Sequence, residues 1–275
     1  MSKSKRLKIG IVGCGAIGSS LAREVANGLR KNATLSALYD IIPERADALS
    51  GKFGGGRKLR AGTLEDLIRR SDLVIESSRA GASWGIVSRS LSAGRKVMVM
   101  SVGGMVGHMD EICRLSDMNN AMVYFPSGAI SGVDALKAAG IAGIKKVVLT
   151  TRKNPRAFKG VEYVEKNFKL SGLKKEKVLF SGSASEAVKL FPQNINVAAV
   201  LGLAGIGIRK TRVRIIACPA VNKNIHEIEI RSAAGDIFTR TENVLHPQNP
   251  KTSFLAVLSA IATLKQILQP VKIGT

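Results

Sequence analysis

The sequence predicts an α/β chain, with a doubly wound parallel sheet first and then a smaller α+β domain built on a mixed sheet. Three observations carry this. An apolar run, residues 7–12, leads at once into a glycine turn, Gly13-Cys-Gly-Ala-Ile-Gly18, and then into a helical pattern through Leu21, Val25 and Leu29. From there to Phe125, short apolar runs alternate with helical segments, as parallel strands joined by crossover helices do. After Ile130 the texture changes, and residues 211–218, 227–232 and 237–242 read as the strands of a second sheet.

Each element has a local reason. In the turn, Gly13 makes the tight bend, Gly15 lets a pyrophosphate approach the backbone, and Gly18 lets the helix sit against the strand. Ala16 and Ile17 complete the GxGxxG spacing of a Rossmann-type fold. The helix opening here aims its positive end and free N–H groups at the phosphates. A second apolar run, 35–39, ends in Asp40, about 20 residues past Gly18, where such a fold sets a carboxylate on the adenosine ribose. Capping the helix begun by Pro43 and Glu44 is the plainer role for Asp40. A carboxylate here repels a 2′-phosphate and favours NAD, while Arg45 keeps NADP open.

A short helix, 43–49, and a basic glycine-rich loop, 51–60, come next. Thr63 and Asp66 have the shape of a capping box starting a helix that ends near Ser71. Strand 73–75 feeds the loop 77–82, and a helix carrying Trp84 and Val87 runs to Gly94 as its C-cap. Strand 97–100, helix 107–115 and strand 121–125 complete the first domain. Ligands of such sheets lie beyond the strand C-termini, so the loops 77–82 (with Ser78 and Ala80), 101–104 and 126–132 are expected around the cofactor. The dinucleotide-binding domain is set at 1–128 and the second domain at 129–248.

In the second half, strand 147–151 is broken by Lys153-Asn-Pro155, and a basic helical stretch runs to about Leu170. Strand 178–180, helices 183–191 and 194–203, and a hairpin turn at Ala234-Gly235 follow. Asn249 as N-cap and Pro250 at N1 start an apolar helix reaching Leu268. Apolar all round, this segment (249–275) is expected to pack back on the first domain or at an interface, and it suggests a homodimer.

With 275 residues, 45% hydrophobic and 28 of them glycine, the chain has a sizeable core, which excludes disorder. No apolar run reaches the roughly 18 residues of a membrane span. The basic N-terminus lacks a signal-peptide pattern, so a cytoplasmic protein with no membrane partner is expected. Three cysteines, Cys14, Cys113 and Cys218, form neither a disulfide framework nor a metal-binding spacing, and no metal is expected. Cys14 reads as a small residue that fits the turn, its thiol open to sensitisation by the helix N-terminus. A net charge of +22 raises the question of nucleic acid, but the basic residues are dispersed and only 4% of residues are aromatic. No nucleic-acid partner is expected; the field would draw in anionic small molecules.

The words FPSGAISGVDAL, VVLTTRKNP, FSGSASEAVKLFPQNINVAA, NIHEIEIR and NPKTSFLAVLS, with GCGAIG before them, span nearly the whole chain. In them the sequence resembles the L-aspartate dehydrogenases. It departs in a longer, more basic N-terminal half and in extra residues between Leu203 and His226. The resemblance implies reversible NAD(P)-dependent oxidation of L-aspartate to iminoaspartate, which yields oxaloacetate and ammonia or continues toward quinolinate and NAD biosynthesis. It also implies His226 of NIHEI as the catalytic residue, with nicotinamide contacts at Ala129, Asn196 and Asn194.

The residue chemistry agrees with this. Hydride leaves Cα only when the amine lone pair can form C=N, so a base must take the ammonium proton or activate water, and imidazole titrates in the range for both. His226 is expected to reach from the second sheet into a cleft holding the nicotinamide. His108 and His246 lack such neighbours and read as structural. For the two substrate carboxylates, Lys251 at a helix N-terminus is the first candidate, then Arg152 and Lys153 after a strand end, with Ser127 and Ser131 as hydroxyl donors. Two other readings stay open. One is an oxidoreductase of the same architecture, of homoserine dehydrogenase or dihydrodipicolinate reductase type; the other is a non-catalytic dinucleotide-binding protein.

Overall fold

In the computed structural model, residues 6–191, 196–247 and 249–274 are described, Pro250 and Lys251 by their backbone alone. The chain divides into two compact units, Met1–Pro126 with Ala260–Ile273, and Ser127–Ser259 with Gly274–Thr275.

The first unit holds strands β1 (Leu7–Val12), β2 (Ala33–Tyr39), β3 (Leu73–Glu76), β4 (Lys96–Val99) and β5 (Val123–Tyr124). All are parallel, in the order β2-β1-β3-β4-β5. Between them run helices α1 (Ala16–Ala26), α2 (Pro43–Phe53), α3 (Leu64–Arg69), α4 (Ala80–Ser92) and α5 (Met109–Asn119). Alternate residues of each strand feed opposite layers. Ile9, Ile11, Leu73, Ile75 and Met98 pack with Leu21 and Val25 of α1 and Leu49 of α2. Val12 and Val74 pack with Leu64 and Leu67 of α3, and Val97 and Val99 with Leu91 of α4 and Ile112 of α5. Coverage on both faces is why these strands read as continuous apolar runs. Beyond the β2 edge, Leu38 makes one parallel bridge with Arg60, a strand reduced to a single residue pair inside what the sequence presents as a glycine-rich loop. Thr63 caps α3, its Oγ1 accepting from the Asp66 N–H at 3.1 Å, while the Asp66 carboxylate accepts from Arg69 and Arg70 rather than completing a box.

The second unit begins with α6 (Val133–Ala142) and the long strand β6 (Ile144–Lys153), followed by α7 (Glu162–Asn167), β7 (Lys177–Ser183), α8 (Ala184–Leu190) and α9 (Asn196–Ala204). Strands β8 (Arg212–Ala217), β9 (Asn224–Ser232) and β10 (Gly235–Asn243) complete a mixed sheet ordered β10-β9-β6-β8-β7, in which only β6 and β8 run parallel. One face carries Val147, Leu149, Val213, Ile215, Ile228 and Ile230 against Leu136 of α6, Ala187 of α8 and Leu201 of α9. The other face is charged, with Lys146 bound to Glu229 and Arg231 to Asp236.

One expectation is corrected. Residues 249–253 are not a helix start but a strand, β12 (Asn249–Ser253), paired with the short β11 (Leu245–His246). The helix α10 (Phe254–Leu268) begins after them. An Asn-Pro pair suits an N-cap, but pairing with β11 decides the backbone, and a two-stranded ribbon tolerates a proline without an N–H. Along α10, one stripe is buried within this chain. Val257, Ala260 and Leu264 form its buried stripe, while Phe254, Leu255 and Leu258 are exposed. No helix among the described residues is long and apolar enough to cross a membrane.

Candidate active site

The glycine turn has the shape of a phosphate cradle. Gly13 sits at φ +89°, and a Cβ there would meet the Ser77 carbonyl at 2.4 Å. Gly18 packs so tightly that its Cβ would stand 1.9 Å from the Gly13 carbonyl oxygen. Gly15, by contrast, has nothing within 4 Å of where a Cβ would be. The first turn of α1, with Ala16 and Ile17, carries no acidic residue, so its N–H groups and positive end are uncompensated by a carboxylate there. The turn also lies where the strand order reverses, between β1 and β3, which is where doubly wound sheets take their ligands. These residues fit a dinucleotide pyrophosphate.

Asp40 ends β2 and faces this turn. Its Oδ2 accepts from the Cys14 N–H at 2.7 Å and its Oδ1 from the Ile42 N–H at 2.9 Å, so it braces the turn and also bends the chain toward α2. Cys14 is not sensitised. Burial, with Asp40 adding to it and Arg45 opposing, pushes its thiol up to about 12.

Two supports of this loop cluster were not singled out in the sequence. Ser77 donates its hydroxyl to the carbonyls of Val12 and Gly13, at 3.0 and 2.8 Å. The buried carboxylate of Glu76 accepts from the Ser78 N–H and hydroxyl and from the Ser101 N–H. It thereby ties the loop after β3 to the loop after β4. Ser78 is held by that carboxylate, and Ala80 opens α4.

In the second unit, the alternation of β6 and β9 assembles a polar niche on the helix-covered face. His226 of β9 stands directly across from Thr151 of β6, with its Nδ1 2.9 Å from the Thr151 hydroxyl. Lys153, two residues along β6, lies on the same face. His226 and Lys153 are only 3% and 5% exposed. Burial brings the Lys153 ammonium from 10.5 down to about 8. Burial, with the nearby Lys153 charge adding to it, pulls the imidazole of His226 from 6.5 down to about 3.

On the other side of His226 lies Thr241 of β10. The Thr241 hydroxyl donates to the Ala129 carbonyl at 3.2 Å, and the Asn243 amide donates to the same oxygen at 2.9 Å. The loop carrying Ser127 and Ala129 is therefore pinned beside the histidine strand. Thr151, Thr241 and Asn243 were missed because each is an ordinary strand residue in sequence, and only the register makes it a neighbour of the niche. The signal within reach was the period of two along Thr-Arg-Lys, which puts Thr151 and Lys153 on one face and Arg152 on the other.

Arg152 is accordingly not brought to His226. On the opposite face it pairs with Glu227 and with Glu176, and Arg240 shares Glu227. Lys251 lies in β12 rather than at a helix N-terminus, and its side chain is outside the described residues. Asn194 also lies outside them, while Asn196 is the first residue of α9. Ser131 offers its carbonyl to the Thr239 hydroxyl at 3.4 Å. His108 stacks on Trp84 at 4.3 Å, and His246 is buried edge-on to Phe254.

Comparison with known proteins places this geometry. Residues 134–267 match the family model described as aspartate dehydrogenase, C-terminal, and residues 13–126 match the NAD-binding domain of homoserine dehydrogenase. The L-aspartate dehydrogenase of Methanosarcina barkeri is 46% identical over 272 residues, covering 98% of this chain and 100% of that protein. That of Methanocaldococcus jannaschii is 38% identical over 275 residues, with 98% and 100% covered. The crystal structure of aspartate dehydrogenase from Thermotoga maritima superposes with a TM-score of 0.74 at 26% identity, over 98% of this chain and 100% of that one. The chain belongs to the L-aspartate dehydrogenase family.

Proposed function

We propose that this protein oxidises L-aspartate with a pyridine nucleotide, reversibly, giving iminoaspartate and then oxaloacetate and ammonia. The observation that carries the residue roles is the buried pair of His226 and Lys153 on one sheet face. A bound nicotinamide supplies the acceptor for the hydride from Cα. Lys153 supplies a cation for a substrate carboxylate in a place with little water, where such a contact is strong. His226 takes the proton that must leave the amine, or the proton of the water that attacks the imine.

With burial and the nearby Lys153 charge both opposing protonation, the ring stays neutral near pH 7. A dicarboxylate arriving beside Lys153 reverses the local field and raises the proton affinity of the imidazole, so the base gains strength when the substrate is in place. Gly13, Gly15, Ala16, Ile17 and Gly18 hold the pyrophosphate, and Asp40 takes the adenosine ribose, which favours NAD over NADP. Ser78, Ala80, Ala129 and Asn196 complete the cofactor contacts, and Ser127 offers a hydroxyl to the substrate. A homodimer and a role feeding NAD biosynthesis in the cytoplasm belong to the same reading.

The test is reduction of NAD followed by absorbance, with L-aspartate, homoserine and dihydrodipicolinate compared at equal concentration, and NADP substituted for NAD. Turnover of aspartate alone, faster with NAD, is expected; turnover of homoserine at an equal rate would overturn the substrate assignment. Gly18→Val is expected to weaken NAD binding by about tenfold or more, read by calorimetry, because no side chain fits against the Gly13 carbonyl. Unchanged affinity would remove the turn from the cofactor site.

A further inference from the structure

One nitrogen of the His226 ring is already committed. Its Nδ1 lies 2.9 Å from the Thr151 hydroxyl, and the two residues are cross-strand partners in the centre of the sheet, both buried. A neutral imidazole carries its proton on one nitrogen and its lone pair on the other, and the partner of the first decides which. With Nδ1 turned to β6, Nε2 is the nitrogen left for chemistry.

We propose that Thr151 is a positioning residue for His226. Its oxygen accepts the Nδ1–H bond, keeps the lone pair on Nε2, and continues to accept that bond after Nε2 has taken a proton. The proposal rests on the assignment of His226 as the acid–base group. A hydroxyl suits this place better than a carboxylate would. A carboxylate at Nδ1 would hold the ring as imidazolium before the substrate arrived. A hydroxyl fixes ring orientation and tautomer without adding charge, and Lys153 on the same strand opposes early protonation. The Thr151 backbone is locked on both sides, since β6 pairs with β9 on one edge and β8 on the other, so the oxygen has little freedom to leave the ring.

The experiment uses the full-length protein with 15N-labelled histidine, the His226 signals being assigned by their loss in His226→Gln. At pH 7 the wild type is expected to show a protonated Nδ1 and an unprotonated Nε2; the opposite pattern overturns the tautomer whatever the activity. Thr151→Val is expected to lower kcat by about tenfold to a hundredfold with KM for aspartate and NAD affinity changed less than about twofold. Thr151→Ser, which keeps the oxygen, is expected to return kcat to within about threefold of wild type. Wild-type kcat in Thr151→Val while His226→Ala is inactive overturns the positioning role and leaves the base assignment standing. Wild-type kcat in His226→Ala overturns the base assignment instead. Should the valine variant fail to fold, the wild-type nitrogen spectrum and the serine variant still decide the tautomer and the role of the oxygen.

Discussion

Replacing His226 by alanine is expected to lower kcat for aspartate oxidation by at least about a hundredfold, the contribution of a well-placed acid–base group. NAD affinity, measured by calorimetry, is expected to stay within about twofold of wild type. No other imidazole among the described residues substitutes for it, since His108 stacks on Trp84 and His246 packs on Phe254. A variant that kept more than a tenth of the wild-type rate would remove His226 from the chemistry.

The same substitution has a signature in stability. The folded protein binds a proton on this ring at about 3, against 6.5 in an unfolded chain. Between those values the unfolded state holds more protons, so the wild type loses stability as pH falls from 6.5 toward 3. At pH 5 that loss amounts to about 2 kcal/mol, from the gap of about one and a half pH units at ~1.4 kcal/mol each. His226→Ala removes this dependence, so urea unfolding at pH 7 and pH 5 is expected to differ less in the variant than in the wild type.

Lys153→Met is expected to lower activity and to remove a pH dependence of stability. Without the cation, kcat/KM for aspartate falls about a hundredfold, through KM first, because a buried charge-assisted contact to a carboxylate is lost. Burial holds this ammonium at about 8 where a free lysine titrates at 10.5, so below pH 8 the native state carries the cost of that shift. The cost is relieved as pH rises from 8 to 10.5, since the unfolded chain binds more protons across that window. Methionine has similar length and no charge, so its stability at pH 7 and at pH 10 is expected to differ less than that of the wild type. Equilibrium unfolding measures this directly. A destabilised Lys153→Met with unchanged KM would show that the ammonium serves the fold and not the substrate.

Much of the first unit was legible because its signals are local. An apolar run on each strand, glycines at fixed spacing and a carboxylate at the end of β2 are all read within about 40 residues, and each matches its place in the structure. The single-residue bridge at Arg60 was hidden, since one residue pair leaves no periodicity. In the second unit the strands were legible but their partners were not. Arg152 and Lys153 are adjacent in sequence and look like equal candidates, yet the pleat sends one to Glu227 and the other to the face of His226. The Asn249-Pro250 pair shows propensity overruled, because its pairing with β11 is set by residues 245 and 246 and not by the pair itself.

By itself the sequence determined the doubly wound unit with its glycine turn, the mixed sheet after it, the family, and which histidine to suspect. Those are properties of short words and short periods, and neighbouring residues suffice to state them. Only the tertiary structure decided that His226 meets a hydroxyl and not a carboxylate, that Lys153 is buried beside it, and that Arg152 faces away. The reason is that strand register and sheet order bring together residues about 75 positions apart, and burial then shifts their proton affinities by amounts that no side chain has on its own.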